Sequence, residues 1–314
     1  NYQLGISAQR TTLVSDNVTK NSLLKETYTN LFPNASFTYQ FARSKTLRFN
    51  YRGRTNQPSA SQLQPVIDDS DQRNLRTGNP SLNQEFTNHF SLNYNFFNVT
   101  RFRNLFAAVN YSNTYNKIVN STELLDSTGR RLTKPVNVNG VYSVNGNVNF
   151  GLPLKMMQGG NINFTTRIAY NRNASVVNGV KNYIKNLNLG EDVRLNYVYK
   201  EALDVGVTAS VNYSSARYSI QQQQQQNNAY YTQMYSVDAT YTFSFGLVLT
   251  SDVDYTANSG LADGFNQNYI MWNAAVAKQL FKSKKGEIRL SVFDLLNQNR
   301  SLTRNVYDNV IEDV

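Results

Sequence analysis

Few residues of this 314-residue chain have the type and spacing for bond chemistry. There is one histidine and no cysteine. Any Ser–His–Asp arrangement must therefore use His89. Thiol chemistry, cysteine-based zinc sites and multi-histidine metal sites are excluded. Asp68-Asp69-Ser70-Asp71 gathers carboxylates that could hold Ca²⁺, which prefers oxygen ligands. The cluster lacks the spacing and the glycine of an EF-hand loop, so it reads as a solvated loop. Arg48, Arg52, Arg54, Arg167, Arg172 and Arg194 could line a path for anionic solutes or pair with carboxylates. Lys282, Lys284 and Lys285 read as solvated turn charge, and Gln221 to Gln226 as a loop tip. No glycine-rich phosphate loop opens a helix, and no nucleophile elbow is present. No catalytic, cofactor-binding or metal-ligating residue is assigned, and an enzyme is not expected.

The elements that must position these groups are strands. Asn, Tyr, Thr, Ser, Val and Phe dominate, whereas Ala, Glu and Lys are scarce. That mixture favours strands and turns over helices. Period-two alternation runs along most of the chain. Leu47, Phe49 and Tyr51 share one face, with Arg48, Asn50 and Arg52 on the other. Phe90, Leu92, Tyr94 and Phe96 repeat the comb, as do Leu203, Val205, Val207, Ala209, Val211 and Tyr213. About thirteen strands are predicted, near 2–13, 30–42, 45–55, 84–97, 102–118, 138–152, 158–174, 183–199, 202–219, 227–243, 246–259, 266–281 and 285–296. Many outlast the five or six residues usual in soluble sheets and match the 9–11 that cross a bilayer at a tilt.

The connections between these strands alternate in length. Short turns are expected at Arg43-Ser44, Asn98 to Arg101, Pro153 to Met157, Lys200-Glu201, Ser244-Phe245 and Lys282 to Lys284. Longer loops are expected at 14–29, 56–83, 119–137 and 220–226, with shorter ones near 175–182 and 260–265. Outer-membrane barrels pair short periplasmic turns with longer outer loops. The reading is an all-β, antiparallel, up-and-down transmembrane β-barrel. No run approaches 18 apolar residues, so no membrane helix is expected. The apolar faces lack charge with one exception, Glu191 between Leu189 and Val193. A bulge near Gly190, or a position outside the bilayer, would accommodate it. By parity His89 faces the lumen with Ser91, Asn93 and Asn95, as a wall residue and not a rim nucleophile's partner. The net charge of +10 is spread along the strands, so no nucleic-acid partner is expected.

Two segments resemble a known family. One runs Tyr51-Arg52-Gly53-Arg54-Thr55-Asn56-Gln57-Pro58-Ser59, then Gln62-Leu63-Gln64-Pro65, then Thr77-Gly78-Asn79-Pro80-Ser81-Leu82-Asn83-Gln84-Glu85. It is similar to the barrel of TonB-dependent receptors, although Gln84 stands where the family often has proline. Phe293-Asp294-Leu295-Leu296-Asn297-Gln298-Asn299 looks like the "D-L-x-N" near the end of such barrels. The Asn- and Tyr-rich composition resembles the Bacteroidota branch. The resemblance implies a 22-stranded barrel with an N-terminal plug. Residues 1–314 would then be a portion lacking the plug, roughly eight early strands and the last strand. Asn1 to Gly5 already reads as mid-strand, and Asn297 to Val314 as an outer loop. The implied activity is uptake of a scarce nutrient (siderophore, glycan, peptide or vitamin), energised by the TonB complex through the plug. Outer-membrane lipid and a surface lipoprotein lid are the other implied partners. A passive channel or a structural or adhesive barrel are the alternatives. Ligand contact is expected in the outer loops, above all in 56–83.

Overall fold

The structure, a computed structural model, describes residues 1–17, 22–126, 129–200, 202–220, 228–261, 266–281, 285–298, 304–306 and 311–313. The strands are β1 (Tyr2–Asn17), β2 (Ser22–Ala42) and β3 (Lys45–Asn56), then the one-turn helix α1 (Ala60–Leu63) and β4 (Asn74–Arg76). Next come β5 (Glu85–Asn98), β6 (Arg103–Tyr115), β7 (Lys117–Leu124), β8 (Arg131–Val138), β9 (Val141–Pro153), β10 (Gly160–Val177) and β11 (Val180–Tyr199). The rest are β12 (Leu203–Tyr218), β13 (Asn228–Thr242), β14 (Leu247–Ser259), β15 (Asn268–Leu280), β16 (Gly286–Val292), β17 (Arg304–Val306) and β18 (Ile311–Asp313).

Thirteen of these strands form one meander, β1-β2-β3-β5-β6-β9-β10-β11-β12-β13-β14-β15-β16. Each neighbour pair in it is antiparallel and consecutive along the chain, apart from the excursions through β4 and β7–β8. This is the predicted up-and-down sheet, strand for strand. The predicted short turns lie at one end, for example Arg43-Ser44 and Phe243 to Gly246. At the other end the strands run on beyond a bilayer's span: β2 has 21 residues, β11 has 20 and β10 has 18.

Three expected loops are therefore partly strand. Much of 14–29 continues the β1–β2 ladder out to Asn17↔Ser22. Most of 119–137 is the β7–β8 hairpin, and 175–182 closes in the two-residue turn Asn178-Gly179. Both turn residues have positive φ, 48° and 77°, as an Asn-Gly hairpin turn requires. Segment 297–314, expected as loop, carries the small β17–β18 ladder. Glu201, Gln221–Gln226, Lys282, Lys284 and Asn299 lie outside the described residues.

The two faces of the sheet differ as the alternation requires. Along one lateral row the partners are Phe37, Phe49, Leu92, Val109, Gly146, Ile168, Leu189, Tyr213 and Tyr231. Toward the long-loop end an aromatic belt follows, with Tyr51, Phe90, Tyr111, Tyr142 and Tyr170 in successive ring contact at 4.8–6.4 Å. Aromatics at the short-turn end include Tyr39 and Phe41, Tyr197 and Tyr199, and Tyr241 and Phe243. Two aromatic girdles flanking an apolar band are what a membrane-spanning sheet needs. Above the band lipid no longer covers apolar side chains, and there they bury one another. Val138 packs with Ala174 and Val176, and Ile184 with Ala216 and Tyr218.

Glu191 stays on the apolar face. The β10–β11 and β11–β12 ladders run through it without a register break, so no bulge rescues it. It sits mid-band, with Leu187 and Leu189 on one side and Val193 and Leu195 on the other. Its Oε2 accepts a hydrogen bond from Thr166 Oγ1 at 2.6 Å.

Candidate functional site

The segment after β3 folds into a collar at the long-loop end. Ser59 caps α1: its Oγ accepts from Gln62 N–H at 3.3 Å, while Gln62 Oε1 accepts from Ser59 N–H at 2.9 Å. This reciprocal capping box lets a single turn of helix persist. Leu63 and Leu82 are buried beneath it. Gly78 passes so close that a Cβ there would lie 2.2 Å from the Gln64 carbonyl oxygen. The motif glycine is thus a matter of space. Asn79 N–H donates to the Gln62 carbonyl at 2.6 Å, and Asn79 Nδ2 to the Pro135 carbonyl at 3.0 Å. Thr77 N–H donates to the Thr133 carbonyl, and Gln64 Nε2 to Ser15 Oγ at 2.8 Å. The collar is thereby stitched to β8 and β1.

Glu85 fixes the other side. It is 5% exposed, and its Oε1 accepts from Ile118 N–H at 2.8 Å and meets Lys117 Nζ at 2.9 Å. The motif glutamate anchors the root of the β7–β8 hairpin. Sequence reading left this pairing out, since nothing local links positions 85 and 117. Asn178 Oδ1 accepts from Leu124 N–H at 2.9 Å, holding the hairpin tip to the β10–β11 turn.

Between collar and hairpin lies an open cleft of about 590 Å³. Gln62, Gln64, Arg76, Asn120, Thr122 and Thr133 contribute to its lining. Such a surface of amides, hydroxyls and one guanidinium can hold a polar solute by hydrogen bonds. Asp68 adds a carboxylate to the same lining.

The other sequence candidates fall as follows. Asp71 is spent on its own turn: Oδ1 accepts from Arg73 N–H at 2.9 Å and Oδ2 from Asn74 Nδ2 at 2.8 Å. The Asn74 amide, then the Arg73 backbone N–H, hold its carboxyl below the ordinary carboxylate value despite full exposure. Asp68 Oδ1 accepts from Ser70 N–H. No group of three metal-ligating side chains occurs among the described residues. His89 stands exposed on the polar wall, level with Arg52 on β3 and Ser112 on β6. Arg167 pairs with Asp192, and Arg194 with Asp238 at 3.0 Å, both on that wall. Arg172 departs from the polar face. Parity puts it with Ile168 and Tyr170, and its guanidinium lies over the Tyr183 and Tyr142 rings at 4.0 and 5.9 Å. Arg48, Arg52 and Arg54 face inward, and among the described residues no ion pair engages them.

Comparison with curated proteins gives no match. Among solved structures, LpxR from Salmonella typhimurium aligns at 12% identity, over 78% of this chain and 87% of its own, with a TM-score of 0.24. A superposition that poor carries no argument. The family comparison is decisive, because the profile of the outer membrane protein beta-barrel family matches residues 1–179 and again 158–314. With its meander, apolar band and girdles, the chain belongs to the outer membrane protein beta-barrel family, and its place is the bacterial outer membrane.

Proposed function

We propose that this chain is the wall and outer collar of a receptor of the TonB-dependent class, which captures a scarce nutrient outside and passes it inward. One observation carries the reading. The segment that resembles those receptors folds into a capped, stitched collar with a polar cleft at the long-loop end. A pore for free diffusion has no need of such a structure at its mouth. The polar wall below, with Arg48, Arg52 and Arg54 facing inward, supplies the next contacts for a solute or for a plug. A surface lipoprotein lid would close over the same collar. The role is binding and passage, without catalysis.

The test is uptake by cells that carry the whole gene, against a deletion strain. A panel of siderophores, glycans, peptides and vitamins is offered with and without a protonophore. Loss of one solute's uptake on deletion, with the same loss under protonophore, supports the reading. Uptake that depends on the gene but survives the protonophore makes the barrel a passive channel. Unchanged uptake across the panel, with lost surface attachment, makes it structural or adhesive.

A further inference from the structure

The short-turn rim carries a charge pattern that transport does not require. Arg43 and Lys45 flank the β2–β3 turn, Arg101 and Arg103 the β5–β6 turn, and Lys155 lies in the β9–β10 turn. Lys200 opens the β11–β12 turn, and Lys285 follows the β15–β16 turn. The β13–β14 turn has no cation of its own, but Lys278 reaches it from β15 and donates to the Phe245 carbonyl at 2.6 Å. Each short turn thus holds a cation or is capped by one. Among the described residues the turns themselves hold no carboxylate, whereas Asp204 and Glu287 flank two of them on the adjoining strands, and by sequence Glu201 belongs to one, so cations outnumber carboxylates along this rim.

The geometry adds a second, independent mark. Three of these lysines lie over aromatic rings: Lys45 over Phe96 at 5.3 Å, Lys200 over Tyr199 at 5.1 Å and Lys278 over Phe245 at 5.1 Å. Tyr199 and Phe96 belong to the girdle at the short-turn edge of the apolar band. A ring at that depth sits among headgroups, with its body in the acyl boundary. A lysine held over such a ring keeps its stem along apolar surface and its ammonium at phosphate level. All three lysines are exposed, and no salt bridge engages them among the described residues. Two of the ammonium groups thus lie over girdle rings, Lys45 over its cross-strand partner Phe96 and Lys200 over the adjoining Tyr199, and the third lies over the turn ring of Phe245.

We infer that the short-turn rim is a binding collar for anionic phospholipid headgroups of the periplasmic leaflet, with Lys45, Lys200 and Lys278 as phosphate contacts. The rim would hold a shell of phosphatidylglycerol-type lipid and fix the depth of the sheet in the bilayer. Each basic residue at an anionic membrane surface strengthens binding about fivefold, so several acting together make a selective shell.

The test uses the full-length receptor, purified in detergent and offered phosphatidylglycerol or phosphatidylcholine at equal concentration. Bound lipids are counted by native mass spectrometry. The combined variant Lys45→Gln, Lys200→Gln and Lys278→Gln is compared with Lys134→Gln and Lys181→Gln at the other end. Heat-shifted migration on gels shows whether each variant remains a folded barrel. The wild type should prefer phosphatidylglycerol at least tenfold. The rim variant should lose that preference, and the outer variant keep it. The assignment is overturned if the wild type shows no preference, if free inorganic phosphate competes as well as the lipid, or if the outer variant loses the preference and the rim variant does not. Capture of a periplasmic protein by the rim, abolished by the same substitutions with no lipid preference present, would give the surface to that partner instead.

Discussion

Glu191 is the residue most at odds with its surroundings. A carboxyl amid Leu187, Leu189, Val193 and Leu195 faces hydrocarbon, and Thr166 Oγ1 donates to it at 2.6 Å. A cation on the lipid face at mid-depth costs about 2–4 kcal/mol, and a carboxyl less. Glu191→Leu should therefore stabilise the barrel by about 1 kcal/mol, and Glu191→Arg, which exchanges one cost for a larger one, destabilise it by about 1–3 kcal/mol. Urea titration of the barrel in vesicles reads both. A Glu191→Leu protein that is less stable would mean that a partner in the membrane uses the carboxyl. Asp71 makes the opposite case, a fully exposed carboxylate used to hold its own turn. Its value lies below the ordinary 3.8 because Asn74 and Arg73 donate to the ionised form. A depressed carboxylate contributes turn stability above its unfolded value and loses it as pH falls through the folded one. Exchange protection of the Arg73 amide, corrected for intrinsic rate, should hold from neutrality down to the ordinary carboxylate value and fade below it as the carboxyl protonates. Protection that persists well below that value would show that other contacts hold the turn. Among the arginines, Arg172 shows what position on the strand decides: two residues past Tyr170 on the same face, it leaves the polar wall and stacks on rings above the band.

The collar and the β7–β8 hairpin form a unit whose stability rests on a few long-range contacts. Glu85→Ala would leave Lys117 and the Ile118 N–H without their shared carboxylate. Lys117 is partly exposed, so water recovers some of the loss, and the expected cost is about 1–3 kcal/mol. It should fall on the hairpin alone: proteolysis between Leu124 and Arg131 quickens while the barrel's unfolding is unchanged. Equal destabilisation of the whole barrel would refute a local role. Gly78→Ala drives a Cβ toward the Gln64 carbonyl and should open the same collar, quickening proteolysis within 56–83 without loss of folded barrel. These contacts also mark what the sequence could and could not disclose. The thirteen meander strands were legible because period two is a local signal, set by lipid on one side and a polar lumen on the other. The ladder beyond Leu13 and the β7–β8 hairpin were not, because above the bilayer both faces meet water and one another, and the alternation fades. Their pairing is written in backbone hydrogen bonds and in distant partners such as Asn79 with Pro135. The cleft was legible only as an address, 56–83, because its opposite wall comes from Asn120, Thr122 and Thr133. The motif residues Gly78 and Glu85 act structurally, Gly78 by leaving space beside the Gln64 carbonyl and Glu85 by anchoring the hairpin root.

At the scale of the molecule, every functional statement depends on which end of the sheet faces outward. Short turns at one end and long, self-packed strand extensions at the other assign the collar to the cell surface and the cationic rim to the periplasm. The charge and ring pattern agrees with that assignment. Lysines over rings mark the short-turn edge, while the belt from Tyr51 to Tyr170 marks the other edge, below the collar. The chain has no cysteine, so a single introduced thiol reports its own side without background. Ser70→Cys places one in the exposed turn of the collar, and Ser44→Cys one in the β2–β3 turn. Neither serine is buried, so neither change disturbs packing. A membrane-impermeant maleimide applied to intact cells should label the Ser70→Cys protein fully and the Ser44→Cys protein hardly at all. Permeabilising the outer membrane should bring the second to the level of the first. The reverse pattern would turn the sheet over: the cleft would face the periplasm and could not be the site of first capture, and the basic rim would meet the lipids of the outer leaflet. Equal labelling of both in intact cells would mean that the probe reaches the short turns through the lumen, which an occupied barrel forbids, and the passive channel would then account for the molecule better than the receptor.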